Sequence, residues 1–85
     1  MNKLEQKLIE LGYKYDLSHY VYTKEYQLDT DNKIMIVLNS DRTTIQNSRV
    51  YCLSPYFKQQ DIDNLQLAYN EMQKDLEVLK EYENN

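Results

Sequence analysis

The chain is poor in the residues that make sharp turns and cross-linked scaffolds. Among 85 residues there is one glycine, one proline, one cysteine, one histidine and no tryptophan. A lone cysteine, Cys52, excludes an internal disulfide and any multi-cysteine metal site. A lone glycine excludes a glycine-rich phosphate cradle and the nucleotide-binding motifs built on it. Scarcity of Gly and Pro also means few sharp turns and long regular elements between them. No signal-peptide pattern, transmembrane run or lipidation motif is present, and Met1 leads directly into a charged, amphipathic segment. The expected compartment is therefore a reducing cytoplasm.

What the chain does contain is 41% apolar and 28% charged residues, the balance of a folded globule. Its length suits one domain over residues 1–85, with only roughly 60–65% of the unfolded surface buried on folding. Nine tyrosines stand against one phenylalanine. Tyrosine can build a core while keeping a hydroxyl at its rim, so the expected core is shallow and partly wet. A net charge of −4 argues against direct nucleic-acid binding, which needs clustered Lys and Arg.

Hydrophobic spacing divides the chain into five elements. Met1, Leu4, Leu8 and Leu11 repeat at 3-4-3, predicting a short amphipathic helix closed by Gly12 in a left-handed C-cap. From Tyr13 to Leu28 the chain is aromatic and β-prone, with Tyr20, Tyr22, Tyr26 and Leu28 on one parity. Asp29–Asn32 reads as a turn, and Ile34–Leu38, apolar on both parities, as a central strand. Asn39–Arg42 makes the next turn. Thr43–Leu53 is a third extended segment of untidy parity, which a bulge near Asn47–Ser48 would reconcile. After Ser54-Pro55, Ile62, Leu65, Tyr69, Met72, Leu76 and Leu79 fall at 3-4-3-4-3, the narrow seam of a long helix starting between Lys58 and Asp61 and running to about Tyr82, before Asn84-Asn85 fray. The expected fold is α+β: a three-stranded antiparallel meander packed by a short N-terminal helix and a long C-terminal one.

Two consequences follow for the last helix. At 1.5 Å per residue it outruns strands of six to eight residues by about two turns, leaving Leu76, Leu79 and Tyr82 past the sheet edge. These need cover from the N-terminal helix, a second copy, or a partner. The helix is also acidic: residues 61–85 sum to −5 and residues 1–60 to +1. That charge is either a solvated face or an electrostatic surface for a basic partner. As a parallel zipper it is thinly specified, with Asp75 and Lys80 the one plausible charge pair among its e and g positions.

No chemistry is announced, and no catalytic, cofactor or metal residue is assigned. His19, beside Asp16 and Ser18, reads as an exposed turn histidine, those neighbours being too near in sequence to form a triad. Cys52 between Tyr51 and Leu53 reads as a small buried hydrophobe rather than a nucleophile. Asp29, Asp31 and Asn32 superficially echo a calcium loop, but the required Gly and distal Glu are missing. The tyrosines are read as core and rim, or as a protein-binding face.

Lys-Leu-Ile-Glu-Leu-Gly-Tyr at 7–13, the tyrosine-rich strand, and Asp61-Ile62-Asp63-Asn64-Leu65-Gln66 running into Gln73-Lys74-Asp75-Leu76-Glu77 resemble small reading frames of phages and mobile elements of low-GC Gram-positive bacteria. The excess of Asn, Lys, Tyr, Ile and Asp fits an AT-rich source. The resemblance implies a stoichiometric binder of host machinery, in its most specific form an inhibitor of a CRISPR-Cas nuclease. On that expectation Glu71, Asp75 and Glu77 supply electrostatics, Tyr20 and Tyr22 contact area, and Leu76, Leu79 and Tyr82 the overhanging seam. The alternative is a homodimeric structural or assembly protein that buries the same seam.

Overall fold

The computed structural model describes residues 2–83. The order is α1 (Lys3–Glu10), β1 (Lys14–Asp16), β2 (Val21–Gln27), β3 (Lys33–Ser40), β4 (Ile45–Leu53) and α2 (Gln59–Lys80). The strands pair in sequence order as an antiparallel sheet, β1-β2-β3-β4. The expected α+β arrangement is present, but the sheet has four strands, not three. Met1 of the first seam and Asn84-Asn85, expected to fray, lie outside the described residues.

The extra strand comes from a turn hidden in the aromatic stretch. Asp16 Oδ1 accepts the N–H groups of Ser18 and His19 at 2.9 and 3.3 Å, and Tyr20 N–H donates to the Asp16 carbonyl at 2.8 Å. Tyr20 closes the loop at φ 58, so Lys14–Asp16 folds back onto Val21–Thr23. A short acidic side chain offers following amides a local acceptor and bends the chain without glycine.

The same device recurs at each later hairpin. Asp29 Oδ1 accepts from the amides of Asp31 and Asn32, both at 2.9 Å. Asp41 Oδ1 accepts from those of Thr43 and Thr44 at 3.0 and 2.9 Å. The second and third residues after each acid are thereby held in the turn. The His19 ring against Asp16, the Asn32 amide against Asp29 and the Thr44 amide against Asp41 hold all three carboxyls below the usual range, Asp41 at about 2. Glycine is required only after α1. There Gly12 takes φ +103, donates to the Ile9 carbonyl at 3.0 Å, and lets Tyr13 donate to Leu8, a Schellman closure. The expected bulge is found opposite Ser40. Asn39 pairs Asn47 and Ser40 pairs Ile45, leaving Gln46 unpaired and bringing Ile45 onto the face of Val50 and Cys52.

Both helices pack on one sheet face, which carries Tyr22, Tyr26, Ile34, Ile36, Leu38, Val50 and Cys52. The expected overhang of α2 is absent: Leu76, Lys80 and Glu83 lie beside Ile45–Ser48 of the nine-residue β4. α1 packs over the same end, with Leu4, Leu8 and Leu79 buried in one cluster and Lys7 Nζ 5.7 Å from the Tyr82 ring centre. Glu83 Oε1 accepts the Ile45 amide at 3.3 Å, tying the end of the chain to the start of β4.

The seam of α2 is rotated from its expected position. Asp61, Ala68, Met72, Asp75 and Leu79 are its buried residues, while Ile62 and Tyr69 are about half exposed. Ala68 permits close approach to the sheet where Tyr69 would hold the helix away. Asp61 Oδ2 turns back to accept the Lys58 amide at 2.7 Å, satisfying one open donor of the first turn.

Two measurements test this account. Leu8→Ala, which empties a fully enclosed site, is expected to cost about 2–5 kcal/mol in denaturant unfolding. Asp41 is depressed in the folded state, so its contribution is present above the unfolded value of 3.8 and is lost as pH falls through about 2. The urea midpoint of the wild type is expected to fall more steeply between pH 4 and 2 than that of Asp41→Asn.

Candidate interaction surface

The most tightly built polar group lies under α2. Lys24 shares parity with Tyr22 and Tyr26, so β2 turns it toward the helices, where it meets Asp75 at 2.7 Å and Glu71 at 3.2 Å. The Lys24 and Asp75 side chains are 12% and 9% exposed. The Tyr13 hydroxyl donates to the same Asp75 oxygen at 2.8 Å, and its ring lies 4.8 Å from Lys24 Nζ. The Gly12 turn brings Tyr13 there, with the Lys24 stem packed against Gly12. Burial, then the Asp75 carboxylate, pushes the Tyr13 phenol far above its ordinary value. Tyr22 is raised to about 12 by burial and by Glu5, whose carboxylate accepts its hydroxyl at 3.3 Å. This cluster clamps α1, β2 and α2 together, and it is enclosed.

The residues expected to meet a partner therefore divide. Asp75 is drawn inside by Lys24, and Glu71 leans on the same ammonium, so neither offers free charge as expected; Glu77 is exposed. Tyr22 and Leu79 are 5% and 0% exposed and belong to the core, because α1 covers both. Leu76 and Tyr82 are half-buried against that core. Tyr20, in the β1–β2 turn, is 72% exposed.

What stands open flanks the first half of α2. On the β2 side, Tyr26, Leu28, Ile34, Asn64, Leu67, Ala68 and Glu71 line an apolar groove of about 200 Å³, and Leu67 on its rim is 67% exposed. On the β4 side, Val50, Ile62, Leu65, Gln66 and Tyr69 line a wider one. Sequence reasoning missed both grooves, since Leu67 lies off the seam and Ile62 and Tyr69 were placed within it. Two signals were legible: Lys24 on the tyrosine parity of β2, and Asp75 three residues after Met72 and four before Leu79.

Candidate catalytic groups are not brought together. His19 Nδ1 lies 2.9 Å from Asp16 Oδ2 in an exposed turn and borders the helix-free face of the sheet. Cys52 is opposite Ile34 on the helix-covered face, where burial, with Asp61 adding to it, raises the thiol. Among the described residues, no three His, Cys, Asp or Glu side chains are grouped to hold a metal ion, and no helix is long and apolar enough to cross a membrane. Comparison with protein-family models, curated proteins and solved structures gives no match to this chain.

Breaking the buried pair from one side leaves an uncompensated charge. Lys24→Met and Asp75→Leu are each expected to cost about 3–5 kcal/mol in urea unfolding, with the double variant recovering most of the loss. Because folding raises the Tyr13 and Tyr22 phenols, their stabilisation is full below about pH 10 and is lost as pH rises through the folded values. Alkaline titration followed by tyrosinate absorbance is expected to show two late phenols, and only one in Tyr13→Phe.

Proposed function

We propose that the protein is a non-catalytic binding module that acts by stoichiometric occupation of a host protein surface, in the cytoplasm of that host. One observation carries this reading: the β2-side groove stays open although the core beside it is complete. Leu28 and Leu67 are exposed at its edge, and its floor is formed by Tyr26, Ile34 and Ala68. Apolar concavity left on a small, finished domain marks a place where another protein inserts a side chain. Glu77, on the exposed side of α2, favours a partner whose apolar anchor is accompanied by Lys or Arg. The most specific form of the reading is a CRISPR-Cas nuclease as the partner, which rests on the resemblance described above. The homodimer alternative loses its original surface, since the end of α2 lies against the start of β4 and is closed by α1.

The test is retention of a stoichiometric partner from Gram-positive host lysates, and its loss with Leu67→Glu. That substitution lies at an exposed site, so the variant is expected to keep the wild-type melting temperature. Absence of any stoichiometric partner across several hosts overturns the proposal. For the nuclease form, DNA cleavage by a guide-loaded nuclease is expected to stop near one equivalent of protein and to continue with Leu67→Glu.

A further inference from the structure

The two edges of the sheet are protected very differently. β1 has three residues, too short to template another strand. β4 has nine, pairs only with β3, and from Asn47 to Leu53 contains no Pro, no Lys and no acid. Natural sheets blunt a long open edge with such residues or cover it, because its free N–H and C=O groups invite a further strand. Here α2 packs across β3 and β4 from above, and beyond the Ile45 amide, which Glu83 takes up, no hydrogen bond covers the outer rim of β4 from Asn47 to Leu53 among the described residues.

We propose that this edge is closed by β4 of a second copy, in an antiparallel pair about a two-fold axis at Val50. Three independent features fit that occupant. The first is charge register along the strand. An axis at Val50 sets Arg49 opposite Tyr51 of the second copy, twice, whereas an axis one residue earlier sets Arg49 against its own equivalent. Arg49 already has affinity for that ring type: its Nε donates to the Tyr51 hydroxyl at 2.8 Å and its guanidinium lies 5.8 Å from the ring centre. The second is spacing. With strands about 4.8 Å apart and α2 over the β3–β4 boundary, the two-fold brings the α2 axes to roughly 10 Å, the ordinary helix–helix distance.

The third is the flank of α2 that would meet its copy. At helical spacing it carries Ile62, Gln66, Tyr69, Gln73 and Leu76, uncharged until Lys80 at its far end, on the most acidic element of the chain. Ile62, Gln66 and Tyr69 line the same groove as Val50. One axis passing by Val50 and between Leu65 and Gln66 therefore sets Ile62 level with Tyr69 of the second copy in antiparallel helices. The half-exposed apolar pair is buried twice, and the product is an eight-stranded sheet with all helices on one side. This surface lies on the opposite flank of α2 from Leu67, so it is separate from the host-binding groove.

Sedimentation equilibrium of the full chain at micromolar to about 100 μM is expected to give twice the monomer mass of 10.3 kDa. Ile62→Glu and Tyr69→Glu are expected to return the monomer mass with unchanged far-UV circular dichroism, and Leu67→Glu to remain dimeric. Gln66→Cys in a Cys52→Ser background places two thiols beside the axis, and mild oxidation is expected to link the dimer covalently. A wild type that stays monomeric throughout overturns the proposal, and so does a dimer that survives both Glu substitutions. Strand addition by a different protein would show as a monomer that binds through β4, which also overturns it.

Discussion

The Lys24–Asp75 ion pair is the constraint from which most of the arrangement follows. Two charges held beneath a helix in a domain this small are costly to desolvate, and only close geometry with added hydrogen bonds offsets that cost. Each participant is therefore fixed: Lys24 by the parity of β2, Asp75 by the rotation of α2, and Tyr13 by the left-handed turn at Gly12. The pair sets which side of α2 faces the sheet. Its register with Ala68 and Met72 displaces Ile62 and Tyr69 to the flank and Leu67 to the other, and thereby creates both open grooves.

A second constraint is the shortage of glycine. Hairpins usually use Gly or Asn-Gly for the positive φ their turns need. This chain instead places an aspartate at the start of each loop and lets its carboxylate hold two following amides, with Tyr20 and Arg42 taking positive φ. The acids at these turns are engaged structurally, and the same holds for Asp61 at the start of α2. Much of the negative charge that composition alone would assign to a surface field is thus already occupied in holding the backbone.

The two helices, the central strand and the C-cap at Gly12 were legible because each rests on local periodicity, whereas the expected overhang of α2 failed because β4, at nine residues, is longer than the strands assumed for it. The β1–β2 turn was not legible, since Asp16-Leu17-Ser18-His19-Tyr20 carries neither Gly nor Pro and its neighbours are equally β-prone. The binding surface was misjudged for a related reason. A repeat read through Ile62, Tyr69 and Leu76 has the same spacing as one through Asp61, Ala68 and Asp75, and apolar character favours the first. Burial of a charge is chosen by its partner, and Lys24 lies 51 residues away from Asp75.

The sequence by itself determined the two flanking helices, the three longer strands between them with the antiparallel pairing implied by short connections, and the identity of the long acidic helix. These depend on side-chain period and turn chemistry, which act over a few residues. Only the tertiary structure decided how α2 is rotated, which acids are enclosed, and which apolar side chains are left outside. Those outcomes depend on a few degrees of helix rotation, settled by the fit of Ala68 to the sheet and the meeting of Lys24 with Asp75, contacts between segments far apart in the chain.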